Sequence, residues 1–276
     1  MSRAFPLEKT RVRVVSWNVL HIVHELNHSA GSSFVLDEYR GNESYRVLDI
    51  FDKIRELLGD LRYPGGTIVL LQEVPGDLRD CLRAMLEEEH FHIAEYCHDR
   101  CPELHDKSGE PPYGNISEYL MAIVPCNLID VEVFRTFGIR YGRGKAGLVV
   151  DLTWICLVCN HFSRDRDERR EGLGKILEYL DEVRMTDTAL LMGDMNCDKS
   201  ILIEDMKEAG YSGFKYVNTG AKFTRHFKVE GGNLGGTHLD HIVISSELEY
   251  ENTGIIRIDP SLSDHDIIEI EVIAHL

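Results

Sequence analysis

Six short polar segments recur along the chain, most of them closing or adjoining an apolar run, and their side chains are those of acid–base and anion chemistry. Asn18 follows Val-Val-Ser-Trp, Glu73 follows Ile-Val-Leu-Leu-Gln, and His161 follows Ile-Cys-Leu-Val-Cys-Asn. Asp194 and Asn196 follow Leu-Leu-Met-Gly, Asp240 stands in Leu-Asp-His-Ile, and Asp264-His265 stand in Ser-Leu-Ser-Asp-His-Asp. Apolar runs of this length read as buried strands. Polar groups at the strand ends then converge on one rim of a sheet core. Carboxylates, amides and imidazoles gathered there suit the hydrolysis of a phosphate ester assisted by a hard metal ion.

A phosphodiester is an anion that repels nucleophiles, and its transition state gathers further charge on oxygen. A site must neutralise that charge, activate a water in line and help the leaving oxygen depart. Mg²⁺ takes oxygen ligands and keeps several waters, so one or two protein carboxylates suffice, and Mn²⁺ is an expected substitute. Glu73 is the first candidate ligand, because a charge ending so apolar a run wants a partner, and Asn18 offers a neutral amide oxygen beside it. Read alone, Glu73 is better explained as a helix-capping or solvent-facing acid before Pro75. Asp194 and Asn196 are two apart, which in an extended backbone points both the same way. They supply a base for water and an amide donor for a phosphate oxygen, while Gly193 permits close approach. An Asx turn leading into a helix near 200 is a compatible, blander reading. His161 and His265 are expected at the phosphate, with Asp240 holding His265 in its protonated form. His241, next to Asp240, is expected on the opposite face.

The elements that must position these groups follow from periodicity. Strands are expected at about 12–17, 67–72, 91–96, 119–124, 131–137, 146–151, 153–160, 188–193, 239–244 and 266–273. Helices fit 44–58, 77–89, 167–184 and 200–209. The helix at 167–184 carries Leu173, Ile176, Leu177, Leu180 and Val183 on one face, and that at 44–58 carries Val47, Leu48, Phe51, Ile54 and Leu58. Strands and helices mix without strict βαβ alternation, so the expected class is α/β (α+β), an α/β sandwich with sheets inside and helices outside. No linker or short-period repeat divides the chain, so one domain is expected over 1–276, with its core at about 12–273. Two polar loops, at about 21–43 and 97–118, each follow a strand and are placed to overhang the rim.

Composition narrows the setting. The chain has 276 residues, and its 43% hydrophobic content suffices for a sizeable core. No stretch approaches a membrane span, and the start lacks the continuous apolar segment of a signal peptide, so an intracellular protein of the cytoplasm or nucleus is expected. Seven unevenly spaced cysteines fit a reducing compartment better than a disulfide framework. The formal charge of −17 opposes non-specific nucleic-acid binding. Two stretches escape that balance: Phe134 to Val150, with Arg135, Arg140, Arg143 and Lys145, and Phe214 to Val229, with Lys215, Lys222, Arg225 and Lys228. They read either as solvated loop charges or as a local anion-facing surface.

The segments Ser16-Trp17-Asn18-Val19, Leu71-Gln72-Glu73-Val74, Asn160-His161-Phe162, Gly193-Asp194-Met195-Asn196, Leu239-Asp240-His241-Ile242 and Ser263-Asp264-His265 resemble, in content and order, those of the endonuclease/exonuclease/phosphatase superfamily of metal-dependent phosphoesterases. The resemblance covers residues 12 to 273 and implies a four-layered α/β sandwich, two packed mixed β-sheets flanked by helices. It also implies roles. Asn18 and Glu73 would hold the catalytic Mg²⁺, and Asp194 would orient or deprotonate water. Asn196, His161 and His265 would contact the phosphate, Asp240 would support His265, and Asp264 would touch the metal, a second metal or its waters. Many members place a Tyr or Arg against the phosphate, for which Tyr119 is the candidate, although Glu118-Tyr119-Leu120-Met121 aligns poorly. Arg164, and Lys222 and Arg225 in the basic, aromatic Lys-Phe-Thr-Arg-His-Phe segment, are further candidates for substrate contact. The tryptophan-containing inositol-phosphatase motifs and any membrane-docking hairpin are absent from the sequence. The expectation is therefore a monomer acting on a phosphodiester in nucleic acid or at its end. The alternative is a small phosphorylated molecule such as an inositol phosphate or nucleotide.

Other patterns compete. His24-Glu25-Leu26-Asn27-His28 matches the HExxH of zinc proteases, which needs a helix and a third ligand downstream. Here it runs into Ser-Ala-Gly-Ser-Ser with one turn of apolar support. Cys156 and Cys159 would face opposite sides of a strand, which favours packing over redox or metal chemistry. Cys97, His98, Cys101 and His105 match no common finger spacing. A non-catalytic binding protein of the same fold is a last alternative, disfavoured by the full set of polar residues.

Overall fold

The computed structural model describes residues 9–28, 33–86, 89–99, 101–105, 112–142, 145–182, 186–229 and 233–275. The first half runs β1 (Lys9–Asn18), α1 (Ile22–His28), α2 (Phe34–Tyr39), α3 (Glu43–Leu58), β2 (Thr67–Pro75), α4 (Gly76–Leu86), β3 (Phe91–Cys97) and β4 (Glu118–Pro125). Then come β5 (Arg135–Gly142), β6 (Lys145–Asp151), β7 (Cys156–His161), α5 (Arg166–Glu182), β8 (Ala189–Asp194) and α6 (Lys199–Ala209). The chain ends with β9 (Phe214–Val217), β10 (Arg225–Lys228), β11 (Leu234–Thr237), β12 (Asp240–Ser245), β13 (Tyr250–Ile256) and β14 (Ile267–His275).

Two six-stranded mixed sheets result, in the orders β13-β14-β1-β2-β4-β3 and β5-β6-β7-β8-β12-β9, with β10 and β11 pairing as a separate ribbon. Strand parity builds four layers. Val12 and Val14 of β1, Ile68 and Leu70 of β2, Leu157 and Cys159 of β7, and Leu190 and Met192 of β8 meet between the sheets. Their sequence neighbours point outward. Val15, Trp17, Val69 and Leu71 pack on α3 and α4, whereas Cys156, Val158, Ala189 and Leu191 pack on α5 and α6. Each fully buried aliphatic side chain contributes on the order of 1.5–3 kcal/mol. A core built on this many holds a rigid frame for charges that would rather be in water. Cys156 and Cys159 divide between the two cores, as alternation requires, and both are free.

Chain direction then sets the rim. β1 pairs with β2 in parallel and β7 with β8 in parallel, so Asn18, Glu73, His161 and Asp194 end neighbouring strands at the same edge. The antiparallel neighbours begin there. Glu118 opens β4 opposite Pro75, Lys145 and Ala146 open β6 beside His161, and Asp240 opens β12 opposite Asp194.

Several expectations need correction. The strand sought at 131–137 is displaced to β5, because Asp130 accepts backbone bonds from Val133 and Phe134 and so folds 131–133 into a turn. On α3 the buried stripe runs through Val47, Ile50, Phe51, Ile54 and Leu57, while Leu48 is 52% exposed. The expected loop at 21–43 contains α1 and α2, the latter capped by Ser33 Oγ, which accepts from the Leu36 amide. The expected basic loop before Asp240 contains β10, whose ribbon crosses to His265 by a single bridge from Arg225. Strands β9, β11 and β13 also lie outside the expected set. Arg143 and Val183 lie outside the described residues, as do parts of the 21–43 and 97–118 loops. Among the described residues, no helix is long and apolar enough to cross a membrane.

Candidate active site

The rim residues form a connected polar array at the floor of a cleft of about 570 Å³. Asn18 Oδ1 accepts the Leu20 amide at 3.0 Å, and this turn holds Leu20 at a φ of 62°. The Asn18 NH₂ therefore faces inward and donates to Glu73 Oε1 and to Asp194 Oδ2, both at 3.2 Å. The amide oxygen thus accepts one backbone bond and keeps a second lone pair, while the NH₂ bridges two carboxylates. Glu73 lies in a β-bulge between Leu71 and Val74, with φ 54°, and its Oε2 accepts the His21 amide at 3.1 Å. The bulge turns a residue of a fully buried strand out to the rim.

Gly193 carries the next constraint. Its φ is +139°, and a Cβ there would stand 2.1 Å from the Asn160 carbonyl oxygen. Only glycine lets β7 and β8 close at this point. Asp194 then accepts the Asn196 amide on Oδ1 at 2.9 Å, an Asx turn with Asn196 at φ 51°. The backbone is therefore not extended through Asn196, contrary to the spacing argument, yet both side chains still line the cleft. Asn196 donates to the Phe162 carbonyl at 2.9 Å and accepts from Arg164 Nε at 3.3 Å.

On the opposite wall, His265 Nδ1 and Asp240 Oδ2 are 2.8 Å apart, and His265 Nε2 lies 3.9 Å from Asp194 Oδ2 and 3.8 Å from Asp264 Oδ1. Burial alone would depress the imidazole, but Asp240, Asp264 and Asp194 outweigh it and raise His265 to about 10. Its ring is protonated at neutral pH. Burial pushes Asp194 up to about 6, against the pull of His265 and Lys145, so it is a base poised just below neutrality. The loop is tied down by Ser263 Oγ donating to the Asn18 carbonyl at 2.7 Å and Trp17 Nε1 donating to the His265 carbonyl at 3.1 Å.

His161 lies 3.3 Å from Glu73 Oε1 and 3.8 Å from Asp194 Oδ2 through Nε2, which accepts from Lys145 Nζ at 2.5 Å. Burial, with Lys145 beside it, holds this imidazole well below its ordinary value and so neutral. Beyond it lies a layer that the spacing argument missed. Glu118 Oε2 contacts His24 Nε2 at 2.7 Å, and Glu118 Oε1 lies 3.6 Å from His98 Nε2. Against the cost of burial, Glu73 and Glu118 raise His24 to about 9, and His24 in turn helps hold both carboxyls below their usual range. Burial keeps His98 lowered and neutral.

Asn18, Glu73, His161, Asp194, Asn196, Asp240, Asp264 and His265 are thus brought together, and Arg164 and Arg225 line the same cleft. Asp264 meets Arg225 Nε through Oδ2 at 2.7 Å, while its buried Oδ1 has no hydrogen-bond partner. Tyr119 is not at the site. Parity on β4 sends it to the helix side, under the Arg79 guanidinium, and brings its neighbour Glu118 inward instead. Lys222 is exposed and lies over Phe223, outside the cleft lining. Glu118, Lys145, His24 and His98 are additions; the first two open strands antiparallel to a marker strand, a pairing that the local sequence does not reveal. His241 faces away as expected, its Nε2 donating to the Cys197 carbonyl at 2.8 Å and its Nδ1 accepting from the Tyr216 hydroxyl at 3.1 Å. The HExxH pair does lie on a helix, but His24 is engaged by Glu118 and His28 packs edge-on against His105 at 5.1 Å. Among the described residues, neither these two nor Cys97, Cys101 and His105 belong to a metal-holding cluster.

No protein-family model matches the sequence, and no curated protein aligns with it. Solved structures do align along nearly the whole chain. ANGEL2, a 2′,3′-cyclic phosphatase, superposes with a TM-score of 0.69 at 13% identity, covering 97% of this chain and 96% of that one. An endonuclease/exonuclease/phosphatase from Bacteroides vulgatus gives 0.63 at 16% identity over 95% and 98%. D. rerio TDP2 complexed with a single-strand DNA product gives 0.56 at 15% identity over 95% and 98%. The chain has the fold of the endonuclease/exonuclease/phosphatase superfamily, two packed mixed sheets between helical layers.

Proposed function

We propose that this protein is a divalent-metal-dependent phosphoesterase that hydrolyses a phosphodiester bond in a nucleic acid or at a nucleic-acid end. The observation that carries the reading is the facing of two opposed chemistries across one cleft: Asp194, a base near neutrality, and His265, an acid held protonated by Asp240. A water deprotonated by the first and a phosphate oxygen neutralised by the second are the two halves of ester hydrolysis.

The donor set fits a hard cation. Glu73, Asp194 and His161 present ligand atoms within 4.8 Å of one another, and two of the three are carboxylates. Glu73 would hold Mg²⁺ or Mn²⁺, with Asn18 orienting its carboxylate and Asp264 offering the unpartnered Oδ1. Such an ion supplies charge neutralisation for the phosphoryl oxygens. The chain's own groups do the rest. Asp194 takes the proton of the attacking water, and His265 donates to a non-bridging oxygen or to the leaving oxygen. Asn196 and Arg164, linked at 3.3 Å, fix the substrate's second edge. The cleft lining sets Lys145, Arg164, Arg225 and Lys228 against Glu25, Glu73, Asp194 and Asp264, so it escapes the acidic excess of the whole protein, and a metal held by the carboxylates would tip it towards a polyanion over a neutral ester.

A neighbour of the same fold was solved with single-strand DNA product, and another is a 2′,3′-cyclic phosphatase solved with adenosine-2′,3′-vanadate. Both support a nucleotide-bearing substrate. A free phosphorylated small molecule is the second reading, favoured by the cleft volume of about 570 Å³, which holds one nucleotide-sized ligand. A panel under Mg²⁺ decides: single- and double-stranded DNA, RNA, poly(A), a 5′-tyrosyl oligonucleotide, a 2′,3′-cyclic nucleotide and an inositol polyphosphate. Turnover of an oligonucleotide substrate, lost in EDTA, is expected. Exclusive turnover of the inositol polyphosphate transfers the case to the second reading, and full activity in EDTA rejects the mechanism.

A further inference from the structure

We infer that His98, Glu118 and His161 form a second metal site, specific for a divalent transition ion of the Zn²⁺ type and joined to the carboxylate centre through the His161 ring. The ligand atoms of these three buried side chains all lie within 4.8 Å of one another. Glu118 Oε1 is 3.6 Å from His98 Nε2 and 3.9 Å from His161 Nδ1. A four-coordinate Zn²⁺ with ligands at about 2.0–2.1 Å separates its ligand atoms by about 3.4 Å, so the two Glu118 legs need shifts of only a few tenths of an ångström, and the two imidazoles, within 4.8 Å of each other, close on the ion by ring rotation. The second, independent observation is His98 Nε2 itself. It is buried, without a hydrogen-bond partner, and aimed at the Glu118 carboxylate. An orphaned imidazole nitrogen beside a buried carboxylate is costly unless something fills the gap.

The surroundings supply what a metal site needs around its ligands. His24 binds Glu118 Oε2 at 2.7 Å and leaves Oε1 to the cluster. When His161 gives its Nδ1 lone pair to an ion, the ring proton stands on Nε2, which faces Glu73 Oε1 at 3.3 Å, so His161 then serves the carboxylate centre as a hydrogen-bond donor to Glu73 and not as a ligand. That is the carboxylate–histidine–metal relay by which outer groups orient a ligand. Lys145 is the competitor, because its ammonium now donates to Nε2 at 2.5 Å and must swing into the cleft it lines before the ring can carry that proton. Two imidazoles and one carboxylate select against Mg²⁺, which prefers an all-oxygen shell, and for Zn²⁺ or Co²⁺.

The test uses the ion's own spectrum rather than hydrolysis, so it stands or falls apart from the phosphoesterase reading. The full chain, stripped with a chelator, is titrated with CoCl₂. A saturable d–d absorption band at one equivalent is expected, displaced by Zn²⁺ and not by excess Mg²⁺. His98→Gln, checked for native far-UV circular dichroism, should weaken Co²⁺ by at least about tenfold. Lys145→Met, which keeps every ligand and removes the competing ammonium, should tighten it. Absence of a saturable band, displacement by Mg²⁺, or full-strength binding in folded His98→Gln overturns the site. Should His98→Gln fail to fold, unchanged or weaker binding by Lys145→Met overturns it equally.

Discussion

The hydrogen bond between Asp240 and His265 decides which proton is available where. His265 is lifted to about 10 in the folded protein, and an imidazole released by unfolding returns to about 6.5. Its contribution to stability is therefore complete below about pH 6.5 and is lost as pH rises through about 10. Thermal melts should show Tm falling between pH 8 and 10, and Asp240→Asn should flatten that decline. Activity has a second limit. Below about 6, Asp194 is protonated and no longer a base, so kcat/KM should rise through about pH 6 and fall again on the alkaline side as His265 deprotonates. Asp240→Asn should lower kcat about 10²–10³-fold and bring the alkaline limb down, a shift that a merely structural lesion would not produce. At this scale the markers are legible because each of Asn18, Glu73, His161 and Asp194 closes a run whose parity is unambiguous. Glu118 and Lys145 are not, since nothing local says that a charge at the start of β4 or β6 faces a neighbour's end. Tyr119 shows the opposite error: its chemistry fitted the site, but the one-residue alternation of β4 gives the inward place to Glu118.

Elements hold these charges in place, and two devices carry most of the load at the rim. The first is the closure of β7 on β8 at Gly193. Gly193→Ala places a methyl 2.1 Å from the Asn160 carbonyl at a φ disfavoured for any side chain. A loss of several kcal/mol, at least about 2–3, is expected in urea unfolding, together with lower activity because Asp194 shifts. The second is Arg46 of α3, fully buried, which donates to the carbonyls of Val19, Leu20 and Leu262 and pairs with Glu43. It ties the turn after Asn18 to the loop that carries Asp264 and His265. Arg46→Met leaves Glu43 buried without its partner and should cost about 3–5 kcal/mol in the same measurement. The long helices and core strands follow from sequence because their periods are strong over many residues. The short α1 and α2 do not, since six or seven residues in a polar stretch give one apolar turn each, and packing on the first sheet rather than propensity holds them.

The whole molecule sets an acidic bulk against a cleft whose lysines and arginines balance its carboxylates. With a formal charge of −17, long-range steering of nucleic acid is weak, and only contacts inside the cleft favour it. Arg164→Ala should raise KM for an oligonucleotide several-fold and reduce the slope of log K against log salt by about 0.7. Two sheets sharing one inter-sheet core argue for a single cooperative unit, so calorimetry should show one unfolding transition. A sandwich with sheets inside and helices outside is legible from the order of apolar runs, and its four layers from the family resemblance, whereas the β10–β11 ribbon is not, because its four-residue strands carry a mixed pattern. The central claim is that Asp194 and a bound divalent ion together cleave a phosphodiester. Single-turnover hydrolysis of a 5′-labelled oligonucleotide, compared in Mg²⁺ and in EDTA for the native chain and for Asp194→Asn, tests it most directly. Product is expected from the native chain in Mg²⁺ alone, with a rate at least about 10³-fold lower for Asp194→Asn. Equal rates in EDTA, or an undiminished rate for a folded Asp194→Asn, would contradict it.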